Sequence, residues 1–389
     1  MNNKPPYRVP SMEEIRALPW NGFNAVSTFS GCGGSSLGYK LAGFRVLWAS
    51  EFIPAAQDTY RANHPDTILD TRDVRTVKAQ DILDAIGMQP GELDLFDGSP
   101  PCASFSTAGK REAGWGKVKN YSDTKQRTDD LFFEFIRLVS GVRPKVFVAE
   151  NVSGLVKGTA KGYFLEILAA MKAAGYRVKC KVLDAQWLGV PQMRQRTIFV
   201  GVREDLGIEP AYPKPLPYRY SVRDALPWIV AVRKGGGFGE EKFVGADTVG
   251  ADTVGAQPSS GNNHNNGMHK VEAEADISRY AIGAEWDRKG KPGTQSEKYF
   301  SLQRPGLDGP CPCITQTAGA VQSAAGVVHP TEKRKFSIAE LRRICAFPDD
   351  FILTGTYSQQ WERLGRAVPP VMMGYIAATI RDEILSRCK

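Results

Sequence analysis

Short apolar stretches of β-strand character alternate with stretches of helical periodicity through the N-terminal half of the chain. The predicted strands are Asn24–Ser30, Arg45–Ser50, Leu93–Asp97, Lys145–Glu150 and Thr197–Val202. The predicted helices are Leu37–Ala42, Pro54–Asn63, Leu131–Val139 and Tyr163–Ala174. This alternation predicts an α/β fold with a mostly parallel sheet and helices on both faces. Because active sites of such sheets lie at the carboxyl ends of the strands, residues that follow the strands are the first candidates for chemistry.

The composition excludes several other classes of protein. With 389 residues, 42% of them hydrophobic, the chain supports a substantial core, and no apolar run approaches the roughly 20 residues that cross a bilayer. Seven scattered cysteines and a polar N-terminus without a secretory leader predict a cytoplasmic protein with no membrane association. The net charge of +8 is compatible with a polyanionic partner without requiring one.

The pattern divides the chain into three parts. Residues 1–204 carry the alternation of strands and helices. Residues 205–330 are irregular and include a five-residue tandem repeat at Val244–Ala256, which we interpret as a lengthened loop. Residues 331–389 regain helical periodicity. We therefore predict a catalytic domain over 1–204, a smaller domain over 205–330, and a return of 331–389 to the first domain.

A glycine-rich turn, Phe29–Ser35, follows the first predicted strand. Glycines at this point let a ligand approach the backbone closely, although many such turns are only tight strand–helix connections. Glu51 follows the second strand, where a carboxylate can accept hydrogen bonds from both ribose hydroxyls of a nucleoside cofactor. Asp73 stands near the expected end of a third strand, and it is either an acceptor for an adenine amino group or a surface carboxylate.

A cysteine, Cys102, follows two prolines within the segment Gly98–Ser106 after another strand. Most free cysteines are small buried hydrophobic residues, but burial explains neither the prolines nor the polar residues that follow. A nucleophilic thiol needs a lowered pKa or a nearby base. None of the four histidines is placed like a protease partner, so a Cys/His hydrolase is disfavoured.

Glu150 and two arginines form a further candidate group. Glu150 ends a buried strand, where a protonated carboxyl could donate a hydrogen bond to a ring nitrogen. Arg194 and Arg196 are two residues apart at the start of a strand, so their side chains are expected on one face. They are either a solvated basic edge or a clamp for an anion or a base edge.

Six segments in order resemble the motif blocks of DNA cytosine-5 methyltransferases. These segments are Phe29–Gly34, Gly98–Ser106, Glu150–Val152, Gln192–Arg196, Arg342–Phe351 and Gly365–Pro370. The resemblance implies a Rossmann-like domain that uses S-adenosylmethionine (SAM), a target-recognition domain over 205–330, and double-stranded DNA as the partner. It also implies that cytosine is flipped out of the duplex and that Cys102 adds to C6 of the ring.

The resemblance assigns roles to individual residues. The implied catalytic residues are Cys102, Glu150, Arg194 and Arg196. The implied cofactor-binding residues are Phe29, Ser30, Gly31, Gly33, Leu37, Glu51, Phe52, Asp73, Val74, Pro101, Arg366, Ala367 and Val368. The implied DNA-binding residues are Ser104, Ser106, Lys110, Arg111 and Gln192.

Two positions depart from the family pattern. Ala103 stands where the family usually has Gln, and Arg366 stands where it usually has Asn beside the cofactor. A permanent cation near a sulfonium donor is unfavourable, because like charges repel. Either Arg366 points to solvent or DNA phosphate and the donor is SAM, or Arg366 pairs with carboxy-S-adenosylmethionine and the product is 5-carboxymethylcytosine.

Two more functions are compatible with the same scaffold. The protein could be an RNA cytosine-5 methyltransferase or a non-catalytic DNA-binding homologue, although retention of the catalytic residues argues against the latter. Cys311 and Cys313 are separated by one residue, which is not a zinc-ligand spacing, so no metal is expected. The sequence leaves the target site, the oligomeric state (a monomer is compatible) and a restriction endonuclease partner open.

Overall fold

The computed structural model describes most of the chain in eight segments. They are residues 4–101, 119–121, 124–126, 130–156, 161–229, 275–299, 302–319 and 326–388. Cys102, Ser104, Ser106, Lys110 and Arg111 lie outside the described residues, as does the tandem repeat.

The described strands form one large sheet and two short hairpins. In chain order they are β1 (Asn24–Thr28), β2 (Arg45–Ser50), β3 (Ile68–Asp70), β4 (Leu95–Gly98), β5 (Lys119–Tyr121), β6 (Thr124–Gln126), β7 (Val146–Val152), β8 (Tyr176–Asp184), β9 (Gln195–Arg203), β10 (Thr294–Gln295) and β11 (Gln303–Arg304). The large sheet has the order β3-β2-β1-β4-β7-β9-β8. Strand β9 runs antiparallel to both of its neighbours, and the other pairs are parallel. The prediction of an α/β fold with a mostly parallel sheet is confirmed.

Helices cover both faces of this sheet. In chain order the described helices are α1 (Met12–Arg16), α2 (Gly34–Leu41), α3 (Pro54–Asn63), α4 (Ala79–Ile86), α5 (Leu131–Val142), α6 (Lys161–Ala173), α7 (Val222–Ala225), α8 (Ala281–Lys289), α9 (Ile338–Ile344), α10 (Tyr357–Arg366) and α11 (Pro370–Glu383). One apolar core joins the sheet to α2 and α11, and another joins it to α4, α5 and α6. Parallel strands buried on both faces read as continuous apolar runs, which is why the sequence revealed most of them.

The segment after residue 331 packs against the N-terminal part of the sheet. A side chain added at Gly38 in α2 would bring its Cβ to 2.4 Å from the Cβ of Met373 in α11, so these helices are in direct contact. The irregular part has a small core of its own, which contains Ile277, Ile282, Leu302 and Val328. Within the described segments, no helix has the length and apolar character required to cross a membrane.

Candidate cofactor and catalytic site

The turn after β1 holds its backbone in left-handed conformations. Phe29 has φ 54°, and Gly31 and Gly33 have φ 56° and 90°. A Cβ at Gly33 would lie 2.2 Å from Nε2 of the buried His64, so only glycine fits there. A Cβ at Gly31 would meet no atom within 4 Å, so this part of the turn borders open space. Ser30 is buried and donates from its hydroxyl to the Ser27 carbonyl at 3.0 Å.

Glu51 anchors this turn from the end of β2. Its carboxylate accepts hydrogen bonds from the backbone N–H of Gly31 and of Ile53, both at 2.7 Å. Burial raises the pKa of Glu51, while these two hydrogen bonds and the charges of Arg363 and Arg366 act in the opposite direction. A carboxylate has about four acceptor positions, so Glu51 retains capacity for the hydroxyls of a ribose. The next residue, Phe52, is 39% exposed.

Asp73 and Val74 lie beyond β3. Asp73 caps the short 3-10 helix that begins at Val74: its carboxylate accepts from the N–H of Arg75 at 3.0 Å and pairs with the Arg75 guanidinium at 3.0 Å. Its side chain remains one-third exposed. Val74 is buried in the core between the sheet and α4 and α5.

The last sequence block packs against the glycine turn. A Cβ at Gly34 would lie 2.4 Å from the carbonyl oxygen of Val368 and 3.4 Å from Cβ of Ala367. Val368 is buried, and so is Leu37 in α2. The structure therefore brings Ala367 and Val368 to the turn, although more than 300 residues separate them in the chain.

Arg366 ends α10 and is four-fifths buried rather than directed into solvent. Its Nη2 lies 2.7 Å from Oε1 of Glu362, one helical turn earlier, and the side chains of Arg366 and Glu362 are 20% and 17% exposed. Its charge also lowers the pKa of Glu51. Arg366 thus acts electrostatically on Glu51, and Glu362 supplies Arg366 with a counter-charge. The sequence contained the signal for this pair, because residues four apart on a helix face each other.

Glu150 and Arg196 form a buried ion pair at the carboxyl end of β7. The Nε atom of Arg196 lies 2.6 Å from Oε1 of Glu150, with side chains 12% and 9% exposed. Burial raises the pKa of Glu150, and Arg196 and Arg194 oppose this rise. Burial also lowers the pKa of Arg196, as does the charge of Arg194.

Arg194 has different partners from Arg196. Its guanidinium donates to the carbonyls of Ile314 at 3.0 Å, Gly365 at 2.9 Å and Arg366 at 3.2 Å, and the residue is 1% exposed. The two arginines therefore differ in their contacts: Arg194 donates to backbone carbonyls of remote segments, and Arg196 pairs with Glu150.

Gln192 is also internal. It has no exposed surface, its amide donates to the Ile344 carbonyl at 3.4 Å, and it accepts from the N–H of Ile314 at 3.2 Å. A side chain with no accessible surface does not contact DNA, so the structure assigns Gln192 a role in packing in place of the predicted DNA contact.

Two polar residues near the site received no role from the sequence. Asn151 donates from its side-chain amide to the Pro100 carbonyl at 3.1 Å, which ties the end of β7 to the residues that lead to Cys102. Pro101, the last described residue before Cys102, is half-buried.

The second of these polar residues, Asp97, is a buried carboxyl on β4. Within the described segments, no group of three His, Cys, Asp or Glu side chains could hold a metal ion.

Comparison with known proteins gives a consistent result. The family described as C-5 cytosine-specific DNA methylase matches residues 23–382. The chain is 32% identical over 362 residues to the type II methyltransferase M1.HphI of Haemophilus parahaemolyticus, covering 91% of this chain and 86% of that protein. It is 30% identical over 384 residues to the type II methyltransferase M.NgoPII of Neisseria gonorrhoeae, covering 96% and 99%.

A solved structure supports the same fold. A putative DNA modification methyltransferase encoded within a prophage (E. coli) superimposes with a TM-score of 0.65 at 21% identity, covering 94% of this chain and 100% of that one. The Rossmann-like fold expected from the resemblance is therefore confirmed, and so is the resemblance itself. The chain belongs to the C-5 cytosine-specific DNA methylase family.

Proposed function

We propose that this protein transfers a methyl group from SAM to C5 of cytosine in duplex DNA. The observation that carries the proposal is the buried Glu150–Arg196 pair at the same sheet edge as the glycine turn and Glu51. A carboxyl with a raised pKa beside a guanidinium suits a neutral pyrimidine that offers a ring nitrogen, an amino group and a carbonyl oxygen.

The residues around the glycine turn fit SAM. Glu51 has the acceptor capacity for the ribose, the exposed Phe52 ring suits the adenine face, and the open space at Gly31 admits the ligand next to the backbone. Phe29, Ser30, Gly33, Leu37, Asp73, Val74, Pro101, Ala367 and Val368 are the further proposed pocket residues. Bound SAM supplies the electrophilic methyl group.

The protein side chains act on the base. The thiolate of Cys102 adds to C6, which makes C5 nucleophilic, and after methylation a water molecule removes the C5 proton while the thiolate leaves. Glu150 donates to N3 and accepts from the exocyclic amine, and Arg196 binds the O2 side. Arg194 supports this arrangement because its guanidinium donates to the carbonyls of Gly365 and Arg366, which joins that segment to the start of β9.

The substrate has to be extruded from a duplex before it reaches Cys102. Ser104, Ser106, Lys110 and Arg111 follow the nucleophile in the chain, and we propose that they contact the DNA. Residues 205–330 serve as the target-recognition domain. The type II names of the relatives support a role in cytoplasmic DNA modification beside a restriction endonuclease.

The test is product analysis. The purified protein is incubated with duplex DNA and SAM, and the digested nucleosides are weighed by mass spectrometry. We expect 5-methylcytosine, its loss in Cys102→Ser, and retained DNA binding by that variant. Product on transfer RNA but not on duplex DNA would replace the proposal with an RNA methyltransferase, and DNA binding without any product would indicate a non-catalytic homologue.

A second candidate donor is carboxy-S-adenosylmethionine. The observation in its favour is that Arg366 is four-fifths buried and acts electrostatically on Glu51, so a cation lies beside the proposed donor pocket. The Glu362 counter-charge favours SAM, because it compensates that cation. The native protein and Arg366→Asn are each incubated with duplex DNA and equal concentrations of both donors. An excess of 5-carboxymethylcytosine with the native protein, lost in Arg366→Asn, supports the carboxylated donor. Formation of 5-methylcytosine by both the native protein and the variant excludes it.

A further inference from the structure

An exposed tryptophan and an exposed arginine form a stacked pair beyond the end of β8. Trp187 is 38% exposed and ends the short 3-10 helix Ala185–Trp187. The guanidinium carbon of Arg219 lies 4.8 Å from the centroid of the Trp187 ring. Its Nη1 atom donates to Oε1 of Gln186 at 3.0 Å. Both partners are neutral, so they orient the guanidinium without cancelling its charge.

The residue beneath this stacked pair is itself held in place. Gln186 is 9% exposed, and its Nε2 atom donates to Oδ2 of Asp184 at 2.8 Å. The Asp184 carboxylate also accepts from the backbone N–H of Gln186 at 3.3 Å and from the side-chain amide of Gln195 at 3.4 Å. A side chain that is already ordered loses less conformational entropy on binding, so the arrangement suits Arg219 to recognition.

Main-chain contacts join the stacked pair to the strand that carries Arg196. The N–H of Ala185 donates to the Arg194 carbonyl at 2.9 Å. In the register of β8 and β9, Leu183 is paired with Arg196, and Trp187 follows shortly after Leu183 in the chain. The stacked pair therefore lies at the carboxyl edge of the sheet, on the rim of the proposed base pocket.

This position determines which partner can reach Arg219. In the proposed function, a cytosine leaves the duplex to contact Glu150 and Arg196, but its sugar stays joined to the strand. Phosphates follow one another at about 3.4 Å along the axis of each strand, so they flank the mouth of the pocket. The guanidinium of Arg219 is exposed at this mouth, and its remaining N–H donors match the oxygens of a phosphate.

We propose that Arg219, ordered by Trp187, binds a backbone phosphate of the duplex beside the flipped cytosine. The inference rests on the proposed function, because the base in the pocket brings the strand to this rim. Arg219 falls within residues 205–330, but its two partners belong to the segment that follows β8. The contact therefore holds the strand in place and is independent of the DNA sequence.

The salt dependence of DNA binding tests this contact. Binding of a fluorescently labelled duplex oligonucleotide of mixed sequence is followed by fluorescence anisotropy over a series of salt concentrations, with the native protein and with Arg219→Gln. One phosphate contact contributes about 0.9 to the slope of log Kd against log salt concentration, so we expect the slope to fall by about 0.9. At roughly 0.1 M salt, the Kd of the variant is then about eightfold higher.

The chain offers a matched control on the opposite edge of the sheet. Arg45 lies 4.3 Å from the centroid of the Trp20 ring, and Trp20 is 46% exposed. Arg45 is the first residue of β2, at the end of the strand away from the pocket. Arg45→Gln removes the same charge, but at that distance salt screens its effect, so the slope stays at the native value.

A second pair of variants separates the charge from the ring that orders it. Trp187→Leu keeps the charge of Arg219 but removes the stacked ring, so the slope is retained while Kd rises about two- to fivefold. Trp20→Leu is the matched change, and its Kd stays at the native value. If Arg219→Gln does not fold, these two variants carry the comparison.

Each outcome is distinguishable. An unchanged slope in Arg219→Gln overturns the inference, and so do equal losses of affinity in Arg219→Gln and Arg45→Gln, which would reflect net charge alone. A loss of affinity for transfer RNA without a loss for duplex DNA also overturns it. Native protein that binds no duplex, or makes no modified cytosine, refutes the proposed function instead.

Discussion

Replacement of Arg194 by methionine separates its role from that of Arg196. Met has a similar length but no donors, so the carbonyls of Ile314, Gly365 and Arg366 lose the hydrogen bonds that the Arg194 guanidinium donates. A buried acceptor left unsatisfied costs about 1–3 kcal/mol, and removal of a buried charge offsets part of the total, so we expect a loss of about 4 kcal/mol of unfolding free energy. At roughly 2 °C per kcal/mol for a chain of this size, the Tm falls by about 8 °C.

Arg196→Met is the matched control. It leaves Glu150 buried without its ion partner, but Glu150 relieves this by binding a proton, because burial already raises its pKa. We therefore expect a fall in Tm of less than about 3 °C. We also expect kcat at least about 100-fold lower, since the group proposed to stabilise the reacting base is gone.

The assay is thermal unfolding in parallel with 5-methylcytosine formation at a temperature where both variants are folded. Arg194→Met should keep most of its kcat there and show a raised KM for SAM, because Gly365 and Arg366 belong to the block that abuts the glycine turn. An unchanged Tm together with a loss of kcat equal to that of Arg196→Met would contradict the reasoning, since Arg194 would then act on the base.

Three further predictions concern other single substitutions. Asp97→Asn alters the pH dependence of stability: the pKa of Asp97 is raised from 3.8 to about 7, so its stabilising contribution is complete below pH 3.8 and is lost as pH rises to about 7. In urea unfolding at pH 8, the unfolding free energy of Asp97→Asn should be about 2–4 kcal/mol higher than that of the native protein. Equal unfolding free energies would refute this. Gly34→Ala should lose about 1–3 kcal/mol of unfolding free energy and bind SAM more weakly, because its Cβ meets the Val368 carbonyl. Its control is Gly162→Ala in α6, where the added Cβ meets open space. In the same calorimetric comparison the unfolding free energy of this control should stay level or rise by up to about 1 kcal/mol. Glu362→Gln removes the counter-charge of Arg366, so KM for SAM should rise about fivefold. The KM for a carboxylated donor should stay level or fall. A parallel rise of both KM values would show that the Arg366–Glu362 pair only stabilises α10.

The local sequence pattern was sufficient to predict the strands that are buried along nearly their whole length, β1, β4 and β7. Glu51 and Glu150 stand out because a carboxylate follows or interrupts a mainly apolar run. Strand β8 was missed because it is an edge strand in which only Tyr176 is fully buried, so it lacks a continuous apolar signal. Asp97 interrupts an apolar run in the same way as Glu150, so the argument applied to Glu150 could have identified it.

Contacts between distant segments could not be read from spacing. Gln192 forms an isolated bridge with Cys311, and Arg194 reaches Ile314 and Gly365; these contacts depend on how two remote segments meet. The sequence spacing gave no sign of these carbonyl partners of Arg194, because they lie more than 100 residues away in the chain.

The contact between α2 and α11 has a consequence for synthesis of the protein. Gly38 and Met373 touch across more than 300 residues of chain, and chains grow at roughly 5–20 residues per second, so α2 waits for tens of seconds before its partner emerges from the ribosome. During that interval the face of α2 that packs against α11 has no cover, and the glycine turn lacks the Val368 carbonyl against which Gly34 packs. The proposed donor pocket is therefore incomplete in a nascent chain. It is completed only when the last helices have been synthesised, so donor binding would require that folding is finished.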